Sequence, residues 1–88
     1  MFKLDLTKNA TAYLDKLPPK QFSQVARKIF SLLADPEPAD SIQLKGHSFR
    51  RTDIGEHRII YRIENEIVKI PLIDKRNDGQ VYKALKRL

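Results

Sequence analysis

The chain has no cysteine and only two histidines, His47 and His57, among its 88 residues. The first absence removes a disulfide framework and any thiolate metal site, and the second removes a histidine-rich one. Long apolar runs are missing too. The opening MFKLDLTKNA alternates apolar and charged residues, unlike a secretory leader, and no stretch approaches the roughly 20 residues of a membrane span. Asp74 and Asp78 are spaced as one helical turn would need for a magnesium pair, but Lys75 and Arg76 stand between them and argue against a metal. The expectation is a cytosolic protein with no metal, no cofactor and no membrane partner.

What is present suits one folded domain over residues 1–88. At 41% apolar and 32% charged, the composition belongs to a globular protein rather than a disordered one. A chain of this length buries roughly 60–65% of its unfolded surface, so its core is thin. The net charge of +6 is uneven: residues 1–44 carry six basic and five acidic side chains, residues 45–88 eleven and six. A polyanion is a natural partner for the second half, and a solvated face that maintains solubility explains the same charge equally well.

Periodicity divides the chain. Phe2, Leu4 and Leu6 alternate with Lys3 and Asp5, as in a half-buried strand. Thr7 suits a helix cap, with Ala10, Leu14 and Leu17 at helical spacing behind it. Pro18 and Pro19 end that helix and open the next, where Phe22, Val25, Ala26, Ile29, Leu32 and Leu33 form one stripe. DPEPADS (35–41) reads as a loop. Strands are expected over Phe49–Ile54, through Ile59, Tyr61 and Ile63, and over Ile67–Ile73, with turns at Gly55 and at Glu64-Asn65-Glu66. Pro71 cannot donate to a ladder, which places its strand at a sheet edge or a bulge. Val81, Ala84, Leu85 and Leu88 suit a short terminal helix.

The expected fold is therefore α+β, in the order β-α-α-β-β-β-α. A helical hairpin packs on one face of a mostly antiparallel four-stranded sheet, and a short helix closes the chain. The opposite sheet face is left uncovered and should be polar.

Strand parity puts Arg58, Ile60 and Arg62 on that open face, and Arg51 reaches it across the Gly55 turn, with Arg76 following the last strand. Guanidiniums are planar, permanently charged forks that match phosphate oxygens, and their convergence is costly without an anion because like charges repel across a sheet. The competing reading is that Asp53, Glu56, Glu64, Glu66 and Asp74 neutralise them as ordinary surface pairs.

The blocks Leu44-Lys45-Gly46, Arg50-Arg51, Gly55-Glu56-His57-Arg58-Ile59-Ile60-Tyr61-Arg62-Ile63, Lys75-Arg76 and Val81-Tyr82 resemble, at this spacing, the pattern of the RelE/ParE toxin superfamily of bacterial type II toxin–antitoxin systems. The resemblance covers nearly the whole chain. For the RelE branch it implies a ribosome-dependent endoribonuclease, an mRNA interferase acting in the A site of the 70S ribosome. There the RNA 2′-hydroxyl attacks the neighbouring phosphate without a metal, and translation stops. It also implies a cognate antitoxin whose acidic segment wraps the toxin.

By position, the resemblance makes Arg58 the arginine that stabilises the transition-state phosphate and Arg76 the one near the leaving oxygen. Tyr82 matches the C-terminal tyrosine that stacks on the nucleotide or moves a proton, and Arg51 a basic residue of the first catalytic strand. Asp53 stands where a second basic residue is frequent, so it is either a carboxylate base or the partner of Arg51. His57 is either a proton acceptor or a packing residue before Arg58. Lys45, Arg50, Arg62, Lys75, Lys83, Lys86 and Arg87 are the candidates for contact with RNA or ribosome. Two other functions stay open: the ParE branch inhibits DNA gyrase without cutting RNA, and an inactive relative would only bind RNA or the ribosome. The pairing of Arg76 with Tyr82 favours the nuclease.

Overall fold

A computed structural model describes residues 2–76. The chain opens with β1 (Lys3–Leu6), followed by α1 (Lys8–Asp15) and α2 (Pro19–Ala34). Four strands follow among the described residues: β2 (Ser41–Gln43), β3 (Arg50–Ile54), β4 (His57–Glu64) and β5 (Ile67–Lys75). The sheet order is β1-β5-β4-β3-β2, with β1 parallel to β5 and every other pair antiparallel. The α+β class and the helical hairpin agree with expectation, but the sheet has five strands rather than four. The extra strand, β2, is three residues long and exists through pairing with β3 (Ser41 opposite Thr52, Gln43 opposite Arg50). So short a segment has no period to read. The expected terminal helix lies outside the described residues.

Thr7 caps α1 as its side chain predicts: its hydroxyl oxygen accepts from the Ala10 amide at 3.2 Å and donates to the Pro71 carbonyl at 2.8 Å. One hydroxyl thus closes a helix end and ties it to β5. Proline opens α2, where its missing N–H removes no helical bond. The α2 stripe buries Val25, Ile29 and Leu32 against Ile59, Tyr61, Val68, Ile70 and Ile73 of the sheet, with Ala10 and Leu14 of α1 completing the core. Each large side chain so buried contributes roughly 1.5–3 kcal/mol. Tyr61 is fully buried, and its hydroxyl donates to the Pro36 carbonyl at 2.7 Å, which fixes the acidic loop after α2. Phe22, at the start of the stripe, is 43% exposed and lies outside this core.

Pro71 turns out to be central, not at an edge. Ile60 pairs with Leu72 and Arg62 with Lys69, so β5 carries one extra residue against Tyr61, and Pro71 falls in that bulge. The bulge absorbs the missing donor. At the β4–β5 turn, Asn65 and Glu66 both take positive φ (51° and 63°), the twist a two-residue hairpin requires. Gly55, with φ of 58°, turns β3 into β4 and sets Asp53 opposite Arg58 and Arg51 opposite Ile60.

The second face is not wholly polar, contrary to expectation. Ile60 and Leu72 are buried there, with Leu44 and Phe49 packed on them. An apolar row therefore crosses the middle of the face that the helices leave open. Removing the Thr7 hydroxyl by Thr7→Ala should lower unfolding stability by about 1 kcal/mol in urea titrations, and Thr7→Ser should recover most of it.

Candidate functional site

The site is built on the β3–β4 hairpin. On the open face, Arg58 grips Asp53 side-on: its Nε donates to one carboxylate oxygen at 2.8 Å and its Nη2 to the other at 3.2 Å. The second oxygen also has Arg51 Nη1 at 3.7 Å and Arg76 Nε at 3.9 Å. Three guanidiniums from β3, β4 and the residue after β5 therefore converge on one carboxylate. Arg76 is held by its backbone amide, which donates to the Glu56 carbonyl at 3.0 Å, and by Nη1, which donates to the Gly55 carbonyl at 3.3 Å. The convergence of Arg51, Arg58 and Arg76 on the open face was expected; that they share one carboxylate was not. The arginines are not scattered among separate acids, and they are not left to repel one another.

Among the described residues Asp53 contacts all three guanidiniums and Asp74 stands opposite Arg58 on β5, so the cations outnumber the carboxylates. Arg58 is the most sheltered of the three, with 12% of its side chain exposed against 47% for Arg76. The outer guanidinium is thus open to an incoming anion while the inner one is oriented in advance. Hydrogen bonding from Arg58, then the charges of Arg58, Arg51 and Arg76, outweigh burial and hold the Asp53 carboxyl below its ordinary range. A carboxylate so stabilised is a weak base. Its geometry makes Asp53 a counter-ion that positions the arginines.

His57 is on the other face. Its Nδ1 is hydrogen-bonded to the Tyr13 hydroxyl at 2.6 Å and its Nε2 to Gln21 Oε1 at 2.9 Å, with the ring buried beneath the two helices. It packs there and does not face Arg58, because adjacent residues of a strand point to opposite sides. Sequence inspection missed Tyr13 and Gln21 as its partners; their positions on α1 and α2 gave no signal without the tertiary fold.

The remaining basic candidates disperse. Arg50 points to the helix-bearing side, where Nη2 donates to Ser41 Oγ at 2.8 Å and Glu37 lies 3.9 Å from Nη1. Arg62 stays on the open face, paired with Glu64 at 3.0 Å and lying over the Phe49 ring at 5.7 Å. Lys45 and Lys75 are exposed, in the β2–β3 loop and at the end of β5. Tyr82, Lys83, Lys86 and Arg87 lie outside the described residues. No helix among the described residues is long and apolar enough to cross a membrane.

A small sheet carrying a helical hairpin on one side and an arginine cluster on the other defines the class: an α+β protein with a basic cluster on its open face. Residues 4–78 match the sequence model of the ParE toxin of the type II toxin–antitoxin system parDE, so the chain belongs to that family, within the RelE/ParE toxin superfamily. It is a toxin of a type II toxin–antitoxin system. Solved structures of similar fold include the RelE–RelB complex from Pyrococcus horikoshii, at 23% identity over 86% of this chain and 96% of that one, with a TM-score of 0.78. The isolated RelE toxin of E. coli is similar at 22% identity, over 99% and 98% of the two chains, with a TM-score of 0.76. The toxin–antitoxin complex RelBE2 from Mycobacterium tuberculosis is similar at 26% identity, over 85% and 98%, with a TM-score of 0.69. No curated protein matches the chain.

Because the carboxyl of Asp53 is held low, its stabilising contribution is fully present above the unfolded carboxylate value near ~4 and disappears as pH falls through the lower folded value. Asp53→Asn should therefore be less stable than wild type at neutral pH, and the gap should close below about pH 4. Urea midpoints measured from pH 7 to pH 3 check this; a gap independent of pH would remove the counter-ion role.

Proposed function

We propose that this toxin is a metal-independent endoribonuclease that cuts messenger RNA in the ribosomal A site. The observation that carries the proposal is the gathering of Arg51, Arg58 and Arg76 around Asp53 on the uncovered sheet face. Cleavage by the RNA's own 2′-hydroxyl requires little covalent chemistry from the protein. The hydroxyl loses a proton and its oxygen bonds to phosphorus. The bond from phosphorus to the 5′-oxygen then breaks, and that oxygen takes up a proton. The difficult element is the negative charge that accumulates on the pentacoordinate phosphorus, and preoriented donors in a partly dry site stabilise it most effectively.

Each arginine has a distinct part. Arg58 and Arg51 turn donors from the Asp53 carboxylate to the phosphate oxygens. Arg76, the most exposed of the three, serves the leaving 5′-oxygen. Its guanidinium retains its proton to a pKa above ~12, so it acts through charge and hydrogen bonding. Tyr82, in the role that the resemblance implies, orients the nucleotide or moves a proton. Asp53 keeps the cluster assembled while no RNA is bound. A cognate antitoxin with an acidic segment would cover this basic face by charge complementarity; the RelE–RelB and RelBE2 complexes support an antitoxin as partner.

A second reading has its own support, since the matching family model is that of the parDE toxin. A gyrase inhibitor would use the same basic face for a protein surface and cut nothing. Induction of the toxin followed by mapping of messenger RNA 5′ ends separates the two. Codon-positioned cuts in translated messages are expected, falling about 10²–10³-fold in Arg58→Ala or Arg76→Ala. Intact messages with arrested gyrase activity would establish the inhibitor instead.

A further inference from the structure

Parity arranges the open face in three rows across the strands. The first holds Asp53, Arg58 and Asp74, the second Ile60 and Leu72, and the third Arg62, Lys69 and Asp5 in successive registers of β4, β5 and β1. At roughly 3.3 Å per residue, the third row lies about 13 Å along β4 from Arg58. A cleft of about 360 Å³ opens there, lined by Asp5, Thr7, Phe49, Arg62, Lys69 and Pro71. None of the nuclease chemistry uses it.

The charge balance of this cleft differs from that of the arginine cluster. Arg62 and Lys69 share one carboxylate, Glu64, at 3.0 and 3.4 Å, and Asp5 supplies a second. Two cations against two carboxylates leave no net attraction for a phosphate. The shape and the polar groups suit something flat and uncharged. The Arg62 guanidinium carbon lies over the Phe49 ring, 5.7 Å from its centroid, and unpaired bases in RNA recognition stack on aromatic rings and guanidinium planes. The Thr7 hydroxyl is already engaged with the Pro71 carbonyl and the Ala10 amide. Asp5 is exposed and makes no hydrogen bond or ion pair among the described residues, which leaves its carboxylate as an available acceptor.

We propose that this cleft is a base-recognition subsite for a nucleotide flanking the scissile linkage, and that Asp5 selects a base bearing an exocyclic amino group. The inference rests on the nuclease reading and adds a specificity determinant to it. An RNA strand whose phosphate sits at Arg58 passes over the side chains that cover Ile60 and Leu72 before a neighbouring base reaches Phe49 and Arg62. Adenine, guanine and cytosine each offer an amino donor to the carboxylate. Uracil offers none, and its ring N–H lies between two carbonyls that a carboxylate repels. The order of effects follows from this. Stacking on Phe49 and Arg62 favours any base, and Asp5 discriminates among them.

The test reads base composition around the cuts. Wild type, Asp5→Ala and Phe49→Leu are induced separately, cut positions are mapped in translated messages, and the bases flanking each cut are compared with their frequency in the same messages. Phe49→Leu keeps apolar packing on Ile60 and Leu72 while removing the ring. Wild-type cuts should show uracil depleted at least about fivefold at one flanking position. Asp5→Ala should abolish that depletion, and Phe49→Leu should weaken it at the same position. The bias is a ratio within each variant's own cuts, so total yield does not enter. A wild type without uracil depletion at any flanking position, or a depletion unchanged in Asp5→Ala, would overturn the subsite while leaving the nuclease intact. Messages left uncut by the wild type would overturn the nuclease, and the subsite with it.

Discussion

Guanidiniums on neighbouring strands repel one another, and in this chain a single carboxylate holds three of them together. Asp53 accepts two hydrogen bonds from Arg58 and has Arg51 and Arg76 within 3.9 Å. The site's geometry depends on that contact. With the counter-ion in place, Arg51, Arg58 and Arg76 are held close together on the open face with no other anion present. The same carboxylate limits the local charge, which leaves the cluster attractive to an anion without being unstable in its absence.

The two sheet faces have separate tasks, and the register of β3 on β4 keeps them apart. His57 and Arg58 are adjacent in the chain, yet one is bonded to Tyr13 and Gln21 beneath the helices and the other to Asp53 on the open side. A slip of one residue would exchange them, burying an arginine under α1 and α2. Gly55 at the turn and Tyr61, anchored through its hydroxyl to Pro36, both resist such a slip. The Pro71 bulge works on the other side of β4. It lets a central strand tolerate proline and still present Lys69 beside Arg62.

Much of this was legible from local pattern. The Thr7 cap, the prolines opening α2, its buried stripe and the alternation of β4 each follow from a period or a turn residue within a few positions. The parity of Arg58 and Arg62 was readable in the same way. Four features were not. β2 is too short to have a period, and Ile60 and Leu72 look solvent-facing until Leu44 and Phe49 are placed over them. Arg50 resembles its neighbour Arg51 in sequence but belongs to the opposite face, where Ser41 and Glu37 meet it. The role of Asp53 was the largest gap, because an acid among arginines is equally consistent with a base, a surface pair and a shared counter-ion.

The sequence by itself determined the two helices of the hairpin, the strands other than β2, and which side chains of those elements share a face, because these depend on periodicities of two and 3.6 residues that are local. It also determined the chemistry on offer, a basic second half rich in arginine with no thiol ligand. Only the tertiary structure decided which charges meet. Arg51, Arg58 and Arg76 come from three different parts of the chain, and their distances to one carboxylate depend on strand order, register and the Gly55 turn. Those are set by long-range pairing, which no local period encodes.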